Sequence, residues 1–239
     1  MKTTSELVTI RRSEDRGHAD HGWLNSYHSF SFGSYHAPAH SGFRSLRVIN
    51  QDIVAPGGGF PTHPHQNMEI FSYVLEGTLK HQDSMGNNSE LKPGQIQLMS
   101  AGTGITHSEF NPSSTDPLHF LQIWIIPDRT GYKPGYTEWQ PIDGAEDTSK
   151  TPIITADGRQ QSAKIRQDVD VFRIKLNPEE SITHDLRDGR GLWLQVINGP
   201  VQLHGTELKS GDGASIEIRG SYRIEADQQP VEALLFDLR

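Results

Sequence analysis

The stretch Tyr73–Lys80, YVLEGTLK, decides the fold because it returns later in the chain as QVINGPVQ at Gln195–Gln202. Downstream of the two copies, ELKPG at 90–94 corresponds in the same way to ELKSG at 207–211. Gly77 and its counterpart stand where one strand must turn tightly into the next, and glycine adopts a positive φ without a steric penalty. The sequence therefore predicts two copies of one β-unit.

Short apolar runs separated by clusters of Gly, Pro, Asn and Asp surround the first copy. Few stretches of the chain keep a helical period, and the runs follow one another at the close intervals that are typical of a sandwich or barrel. The predicted strands span 45–54, 70–77, 78–83, 94–99, 105–110 and 118–126. We therefore expect an all-β chain.

A segment rich in proline, glycine and charge divides the two copies, and its lack of apolar periodicity indicates a connection. We predict a first domain at 1–133, a linker at 134–152 and a second domain at 153–239.

Composition restricts the ligands. The chain of 239 residues has 22 basic and 30 acidic residues, a formal charge of −8, which argues against nucleic acid or an anionic membrane as the main partner and favours a small molecule. It has no cysteine, so any metal must be held by His, Asp or Glu. No segment has the apolar length of a signal peptide or a membrane span, and we expect a soluble, cytoplasmic protein.

Two pairs of candidate ligands occur in the first half. His63 and His65 flank Pro64, and side chains at i and i+2 of a strand point to one face. His107 and Glu109 repeat this spacing, so three imidazoles and one carboxylate could project from neighbouring strands toward one point. This donor set suits Fe(II), Mn, Co, Ni, Cu or Zn and leaves one or two coordination positions open.

Other interpretations stay open at this point. A single His-x-His pair is as often packed or solvated as it is a ligand. Glu69 is a rival carboxylate, because it has the same strand parity as His63 and His65, and we expect it to support the ligands rather than to be one. Phe60, Met68 and Phe71 lie close to the ligands in sequence, but core packing is the commoner role of such residues. We interpret the remaining histidines of this half as core or surface groups, namely His18, His21, His28, His36, His40, His81 and His119.

Two motifs resemble those of the cupins. The pattern G(x)5HPH(x)3E(x)7G spans Gly57–Gly77, and G(x)7G(x)4H(x)3N spans Gly94–Asn111. The strings GHADHGWLNSYHSFSFGSY, HQDSMGN, MSAGTGITHSEFNPSS and QIWIIP are similar to the pirin family, and within it to the bacterial pirin-like quercetin 2,3-dioxygenases.

The resemblance implies a bicupin, two β-barrels of jelly-roll type, with one metal in the N-terminal domain. Its motifs carry the ligand role onto His63, His65, His107 and Glu109. The second copy has THDL at 183–186, with Leu186 in place of the second imidazole, and no His/Glu pair near 224–226. We therefore expect a C-terminal domain without a metal site, in which His184 is an ordinary polar residue.

The resemblance also implies an activity: a metal-dependent dioxygenase that opens the ring of a flavonol such as quercetin with O2 and releases carbon monoxide. Glu109 is the nearest candidate to accept the proton of the flavonol hydroxyl. Fe(II) is the ion we expect, with Mn, Co, Ni, Cu and Zn as alternatives.

Two other functions fit the same residues. Eukaryotic pirins are described as iron-dependent, redox-sensing regulators, so this chain could act through a protein partner. A purely structural metal would instead require a closed, four-coordinate ion such as Zn.

Overall fold

The structure is a computed structural model that describes residues 7–141 and 148–239. Its regular structure is almost entirely strand, which confirms the all-β prediction. The strands are β1 (Thr9–Arg11), β2 (Gly17–Asp20), β3 (Leu24–His28), β4 (Leu46–Val54), β5 (Gly59–His65), β6 (Glu69–Glu76), β7 (Leu79–Asp83), β8 (Asn88–Leu91), β9 (Ile96–Ser100), β10 (Ile105–Phe110), β11 (Leu118–Ile125), β12 (Gly135–Trp139), β13 (Lys150–Thr155), β14 (Ala163–Lys164), β15 (Val169–Leu176), β16 (Ser181–Leu186), β17 (Gly191–Asn198), β18 (Val201–Leu203), β19 (Thr206–Leu208), β20 (Gly213–Ile216), β21 (Gly220–Ala226) and β22 (Val231–Leu238). Short 3-10 helices span Ser13–Asp15, Pro38–His40 and Arg159–Gln161. Across the described ranges, no helix combines the length and apolar character needed to cross a membrane.

The chain folds into two compact units. The N-terminal unit comprises the described residues within Gly17–Asp143 and Ala163–Gln167. The C-terminal unit comprises those within Met1–Arg16, Gly144–Ser162 and Asp168–Arg239.

Each unit is built from a large and a small antiparallel sheet. In the N-terminal unit the strand orders are β12-β9-β6-β11-β4-β3-β2 and β5-β10-β7-β8. In the C-terminal unit they are β1-β20-β17-β22-β15-β13 and β16-β21-β18-β19. Strands β20-β17-β22-β15 and β16-β21-β18-β19 repeat the order of β9-β6-β11-β4 and β5-β10-β7-β8. The chain is a bicupin with two jelly-roll domains, as predicted.

The repeated glycines occupy equivalent turns. Gly77 has φ 79°, and a Cβ added there would lie 2.6 Å from the carbonyl oxygen of Pro117. Gly199 has φ 84°, and its added Cβ would lie 2.4 Å from the carbonyl oxygen of Pro230. Only glycine combines a positive φ with so close a backbone approach, which explains why this position recurs in both copies.

The segment predicted as a linker contains regular structure. Residues Gly135–Trp139 form β12, which pairs with β9 from Gly135↔Ser100 to Trp139↔Ile96, and the side chain of Trp139 is buried. Lys150–Thr155 forms β13, and residues 142–147 of the predicted linker lie outside the described residues.

The other difference is at the start of the chain. Strand β1 pairs with β20 of the C-terminal unit, although the sequence places it in the first predicted domain. The boundaries 1–133, 134–152 and 153–239 stay a prediction, and the compact units divide the chain differently at these two places.

Candidate metal centre and cavity

Three imidazoles meet where β5 pairs with β10. His63 and His65 lie on β5, and His107 of β10 stands directly opposite His63. The ring centroids are 4.5 Å apart for His63 and His107, 4.8 Å for His63 and His65, and 4.9 Å for His65 and His107. The Nε2 atoms of His63 and His107 are 3.1 Å apart. The structure therefore brings the three predicted imidazole ligands together.

The tautomer of His63 suits a metal ligand. Its Nδ1 lies 2.8 Å from the carbonyl oxygen of Pro61, which can only accept, so Nδ1 carries the proton and Nε2 presents a lone pair. Two nitrogens that bind one ion at about 2.1 Å each, at right angles to one another, lie roughly 3 Å apart. The separation between His63 Nε2 and His107 Nε2 matches this requirement, and the donor set fits a divalent transition metal.

Burial favours the neutral form of His65 and His107. Desolvation lowers the pKa of His65 to about 4, with further lowering by His107 and His63. Desolvation also lowers the pKa of His107 to about 3, assisted by His63 and His81. Because only a neutral imidazole can bind a metal, both rings are in the ligating form at neutral pH.

Glu109 lies in a second, overlapping group. Its carboxylate oxygens accept hydrogen bonds from Gln97 (2.6 Å), Gln122 (2.7 Å) and Ser72 (2.8 Å). A ligand atom of Glu109 lies within 4.8 Å of ligand atoms of both His81 and His107, whereas His63, His65 and His107 form the first group. The four predicted ligands are thus distributed over two groups that share His107.

His81, one of the histidines that we interpreted from the sequence as core or surface groups, belongs to the second group of possible ligands. It lies on β7 opposite Glu109, is fully buried and stacks on Tyr136 at 4.8 Å. The Nδ1 atoms of His81 and His107 are buried without a hydrogen-bond partner in the described part of the chain. An unpaired buried nitrogen is costly. Nε2 of His81 faces Asp83 Oδ2, so its Nδ1 carries a lone pair that a nearby cation would satisfy, whereas Nδ1 of His107 carries the proton when its Nε2 binds a metal. The sequence carried one signal that His81 faces the interior. It is two residues from the apolar Leu79, so the two side chains lie on the same, buried face of β7.

We expected Glu69 to support the imidazole ligands, but its carboxylate makes hydrogen bonds elsewhere in the N-terminal unit. Its Oε2 accepts hydrogen bonds from Ser100 Oγ (2.7 Å) and Arg166 N (3.3 Å). The parity argument was wrong because β5 ends at His65 and β6 begins in the other sheet, with Asn67 at φ 50° between them. Burial raises the pKa of Glu69, and the hydrogen bond from Ser100 opposes this effect.

A row of buried polar side chains crosses the large sheet beneath Glu109. Register places the members opposite one another on five successive strands, in the order His28, Asn50, Gln122, Ser72 and Gln97. Gln122, Ser72 and Gln97 are the three donors to the Glu109 carboxylate. Gln122, Ser72 and Gln97 therefore position Glu109, whereas His28 and Asn50 bond to each other.

The C-terminal unit carries apolar side chains along the equivalent row. Ala214, Leu194, Leu235 and Phe172 lie opposite one another on β20, β17, β22 and β15. Leu186 of THDL is buried in the same apolar core. Within this described row, no side chain can donate a hydrogen bond as Gln97, Ser72 and Gln122 do to Glu109.

His184 was expected to be an ordinary polar residue, but it belongs to a buried charged network of the C-terminal unit. Its Nε2 lies 3.0 Å from Asp237 Oδ2, and its Nδ1 lies 2.9 Å from Lys150 Nζ. Asp237 also accepts a hydrogen bond from Arg190 Nε. Each charge in this network has a partner, which is the condition for burying charges at all.

A cavity of about 400 Å³ opens beside the imidazoles within the N-terminal unit. His63, His65 and Glu109 line it, and its aromatic walls are formed by Phe32, Tyr35, Phe60 and Trp124. Phe60 reaches the cavity because a bulge in β5 pairs it, rather than Pro61, with Glu109. Of the neighbouring apolar residues, Phe71 is fully buried and Met68 packs against another core cluster.

The wall formed by β3 and β4 is polar. Ser26 Oγ donates to Asp52 Oδ1, and His28 Nδ1 donates to Asn50 Oδ1 at 2.8 Å. Burial raises the pKa of Asp52 to about 7; the hydrogen bond from Ser26 lowers it and the charge of Glu109 raises it. Sequence reasoning singled out none of these four residues except His28, which it assigned to the core or surface.

Known proteins match both halves of the chain. A pirin family model matches residues 9–125, and a model of the quercetinase C-terminal cupin domain matches residues 152–238. The quercetin 2,3-dioxygenase of Escherichia coli strain K12 is 46% identical over 232 residues, which cover 97% of this chain and 99% of that protein.

Solved structures agree with these matches. A crystal structure of YhhW from E. coli has a TM-score of 0.93 and 45% identity, and the match covers 98% of each chain. A second structure, of the bacterial pirin YhhW in complex with nickel(II), has a TM-score of 0.91 and 45% identity, and the match covers 97% of this chain and 99% of that chain. This chain therefore belongs to the pirin family.

Proposed function

We propose that this chain is a metal-dependent dioxygenase that opens the ring of a flavonol with O2 and releases carbon monoxide. The observation that carries the proposal is the group of three imidazoles, His63, His65 and His107, beside an aromatic-lined cavity of about 400 Å³. That volume is in the range of pockets for drug-sized ligands. The E. coli relative named quercetin 2,3-dioxygenase supports the choice of substrate.

The proposed metal ligands are His63, His65 and His107, with Glu109 as the fourth. Glu109 shares the cavity with the first two and lies within 4.8 Å of a ligand atom of the third. Imidazole and carboxylate donors accept several first-row ions, and we expect Fe(II), which O2-using sites with such ligands often hold. The nickel(II) complex of a relative supports a single divalent metal in this fold.

The protein groups have separate roles in the proposed reaction. When bound, a divalent ion would act as a Lewis acid toward the enol oxygen of the flavonol and take part in the redox chemistry of O2. Phe32, Phe60 and Trp124 hold the flat rings and exclude water. Glu109 accepts the hydroxyl proton at Oε2, which receives one hydrogen bond, whereas Oε1 receives two.

Oxygen uptake tests this proposal. Metal-free protein is reloaded with Fe(II), Mn, Co, Ni, Cu or Zn, and O2 consumption and carbon monoxide are measured with quercetin. We expect turnover that depends on the metal and is lost in both His63→Ala and Glu109→Ala. Stoichiometric metal binding without uptake for any ion would contradict the enzyme and favour a regulatory role through a protein partner.

A further inference from the structure

We propose that Asp52 accepts a hydrogen bond from a hydroxyl group of the aromatic ligand and thereby selects neutral, hydroxylated rings. The inference deepens the proposed function and rests on it, because it assigns the chemistry of the ligand at the wall formed by β3 and β4. The class of ligand is a polyhydroxylated aromatic, as opposed to its methyl ether or to an aromatic acid.

The position of Asp52 carries the first step. Asp52 lies on β4 between Ser26 of β3 and Phe120 of β11, is 2% exposed and lines the cavity. Its Oδ1 accepts the hydroxyl of Ser26. Its Oδ2 has no hydrogen-bond partner within residues 7–141 and 148–239. Because Oδ2 keeps access to the cavity, a ligand hydroxyl there can donate to the ionised carboxylate in place of water, in a charge-assisted hydrogen bond.

Asn50 supplies a complementary group two residues along the same strand. Its Oδ1 accepts from His28, and its side-chain N–H groups have no partner in the described ranges. Residues i and i+2 share a face, and both Asn50 and Asp52 line the cavity. The wall thus offers an acceptor and a donor side by side, which suits two oxygen substituents of one ring.

Charge excludes the anionic alternatives. Asp52 and Glu109 both line the cavity, and its lining in the described structure contains no lysine or arginine. A carboxylate or phosphate on this wall would face like charge without a counterion. A hydroxyl donates as well as accepts, so it pairs with Asp52 whether that carboxyl is protonated or ionised. A methyl ether cannot donate, so it leaves Oδ2 without a donor when Asp52 is ionised.

The aromatic walls fix the orientation of the ring. Phe32 meets Trp124 edge to face at 5.5 Å, and Trp124 meets His65 at 5.0 Å. The tryptophan therefore connects the imidazole group to the wall that carries Phe32. A flat ligand that stacks on Trp124 is therefore held beside the proposed metal ligand His65, in the cavity that Asn50 and Asp52 also line.

Ligand binding provides the test. Quenching of tryptophan fluorescence in the metal-loaded protein gives the affinity for quercetin and for flavonols that keep the 3-hydroxyl but each lack one other hydroxyl. We expect Asp52→Ala to weaken binding of quercetin roughly 10- to 100-fold, the range for a hydrogen bond to a charged group. One analogue should lack the hydroxyl that Asp52 recognises. For that analogue, Asp52→Ala should change the affinity by less than about threefold, which also shows that the cavity of the variant is intact. Asp188→Ala, at an exposed turn of the C-terminal unit, is the matched control.

The inference is overturned if Asp52→Ala weakens all flavonols equally or none of them. If Asp52→Ala does not fold, Ser26→Ala retains the carboxylate but removes the hydroxyl that orients it. That variant should show the same selectivity in smaller measure, and an equal effect on all ligands would also overturn the inference.

The outcomes separate this inference from the proposed activity. Selective loss of binding without turnover by any metal form would refute the dioxygenase and leave the role of Asp52 intact. Metal-dependent turnover with no selective effect of Asp52→Ala would support the dioxygenase and refute the role of Asp52.

Discussion

The Nδ1 atom of His63 donates to the carbonyl oxygen of Pro61, and this contact sets the face that the ring presents to His107. Pro61 lies in the bulged part of β5, where the register against β10 shifts by one residue. The irregular strand thus supplies the acceptor that fixes the tautomer, and the lone pair of Nε2 points toward the second imidazole.

Removing the imidazole that both groups share should abolish metal binding. We expect His107→Ala to lower the affinity for a divalent transition metal by more than about 100-fold, since loss of a supporting residue alone costs 10- to 100-fold. The measurement is metal content after dialysis against a metal buffer. His36→Ala removes an exposed imidazole that does not line the cavity and should retain full stoichiometry. Unchanged metal content in His107→Ala would contradict the ligand assignment.

The polar row should matter through Glu109. Gln97→Leu removes the 2.6 Å hydrogen bond to Glu109 Oε1 and leaves a buried oxygen with one donor fewer. We expect a loss of about 1–3 kcal/mol in the free energy of unfolding and a metal affinity lower by roughly 10-fold or more. Urea denaturation and metal titration measure the two effects. Gln228→Leu, at an exposed turn, is the control, and equal behaviour of the two variants would argue against a role for the row.

The imidazole pairs could be predicted because their geometry is local. The i, i+2 spacing puts His63 and His65 on one face of β5 whatever the rest of the sheet does. Asn50 and Asp52 could not be found in this way, because they reach the cavity only through the pairing of β4 with β3 and β11. Register between distant strands is not encoded in a short motif.

The same reasoning explains the other differences. Glu69 has the parity of His65 in the sequence, but a left-handed residue between β5 and β6 breaks the alternation on which parity depends. Strand β12 was missed because Trp139 is its one buried residue, in a segment dominated by proline, glycine and charge. By contrast, the repeated glycine turns predicted the topology of both units.

Alanine at either repeated glycine should destabilise its unit. Gly77→Ala and Gly199→Ala each combine a left-handed φ with a Cβ closer than 3 Å to a carbonyl oxygen. Gly86→Ala is the matched control, because φ there is 93° but nothing lies within 4 Å of the added Cβ. We expect the control to lose about 1–2 kcal/mol in the free energy of unfolding, from its positive φ alone. The other two variants should lose more, and thermal unfolding measures all three. Equal losses for all three would show that the close approach has no cost.

The buried network of the C-terminal unit gives a pH-dependent contribution to stability. Burial by itself would raise the pKa of Asp237, but hydrogen bonds from His184 and Arg190 outweigh it, so the pKa lies below its usual range. A carboxyl whose pKa is lowered by folding stabilises the folded state fully above its unfolded pKa of about 4. That contribution decreases as the pH falls through the folded pKa.

Asp237→Asn should therefore be destabilised most at neutral pH. The substitution removes the buried counterion of Arg190 and leaves it paired with the exposed Asp168, whose Oδ1 lies 2.8 Å from Nη1. We expect a cost of at most about 3 kcal/mol in the free energy of unfolding at pH 7. As the pH falls below about 4, the unfolded chain binds a proton at Asp237 before the folded protein does, so the difference between the two proteins should shrink. Urea unfolding from pH 7 to pH 3 measures this difference, with Asp188→Asn as the exposed control. A difference that stays constant over this range would mean that the network stabilises the unit by packing and not by the charge of Asp237.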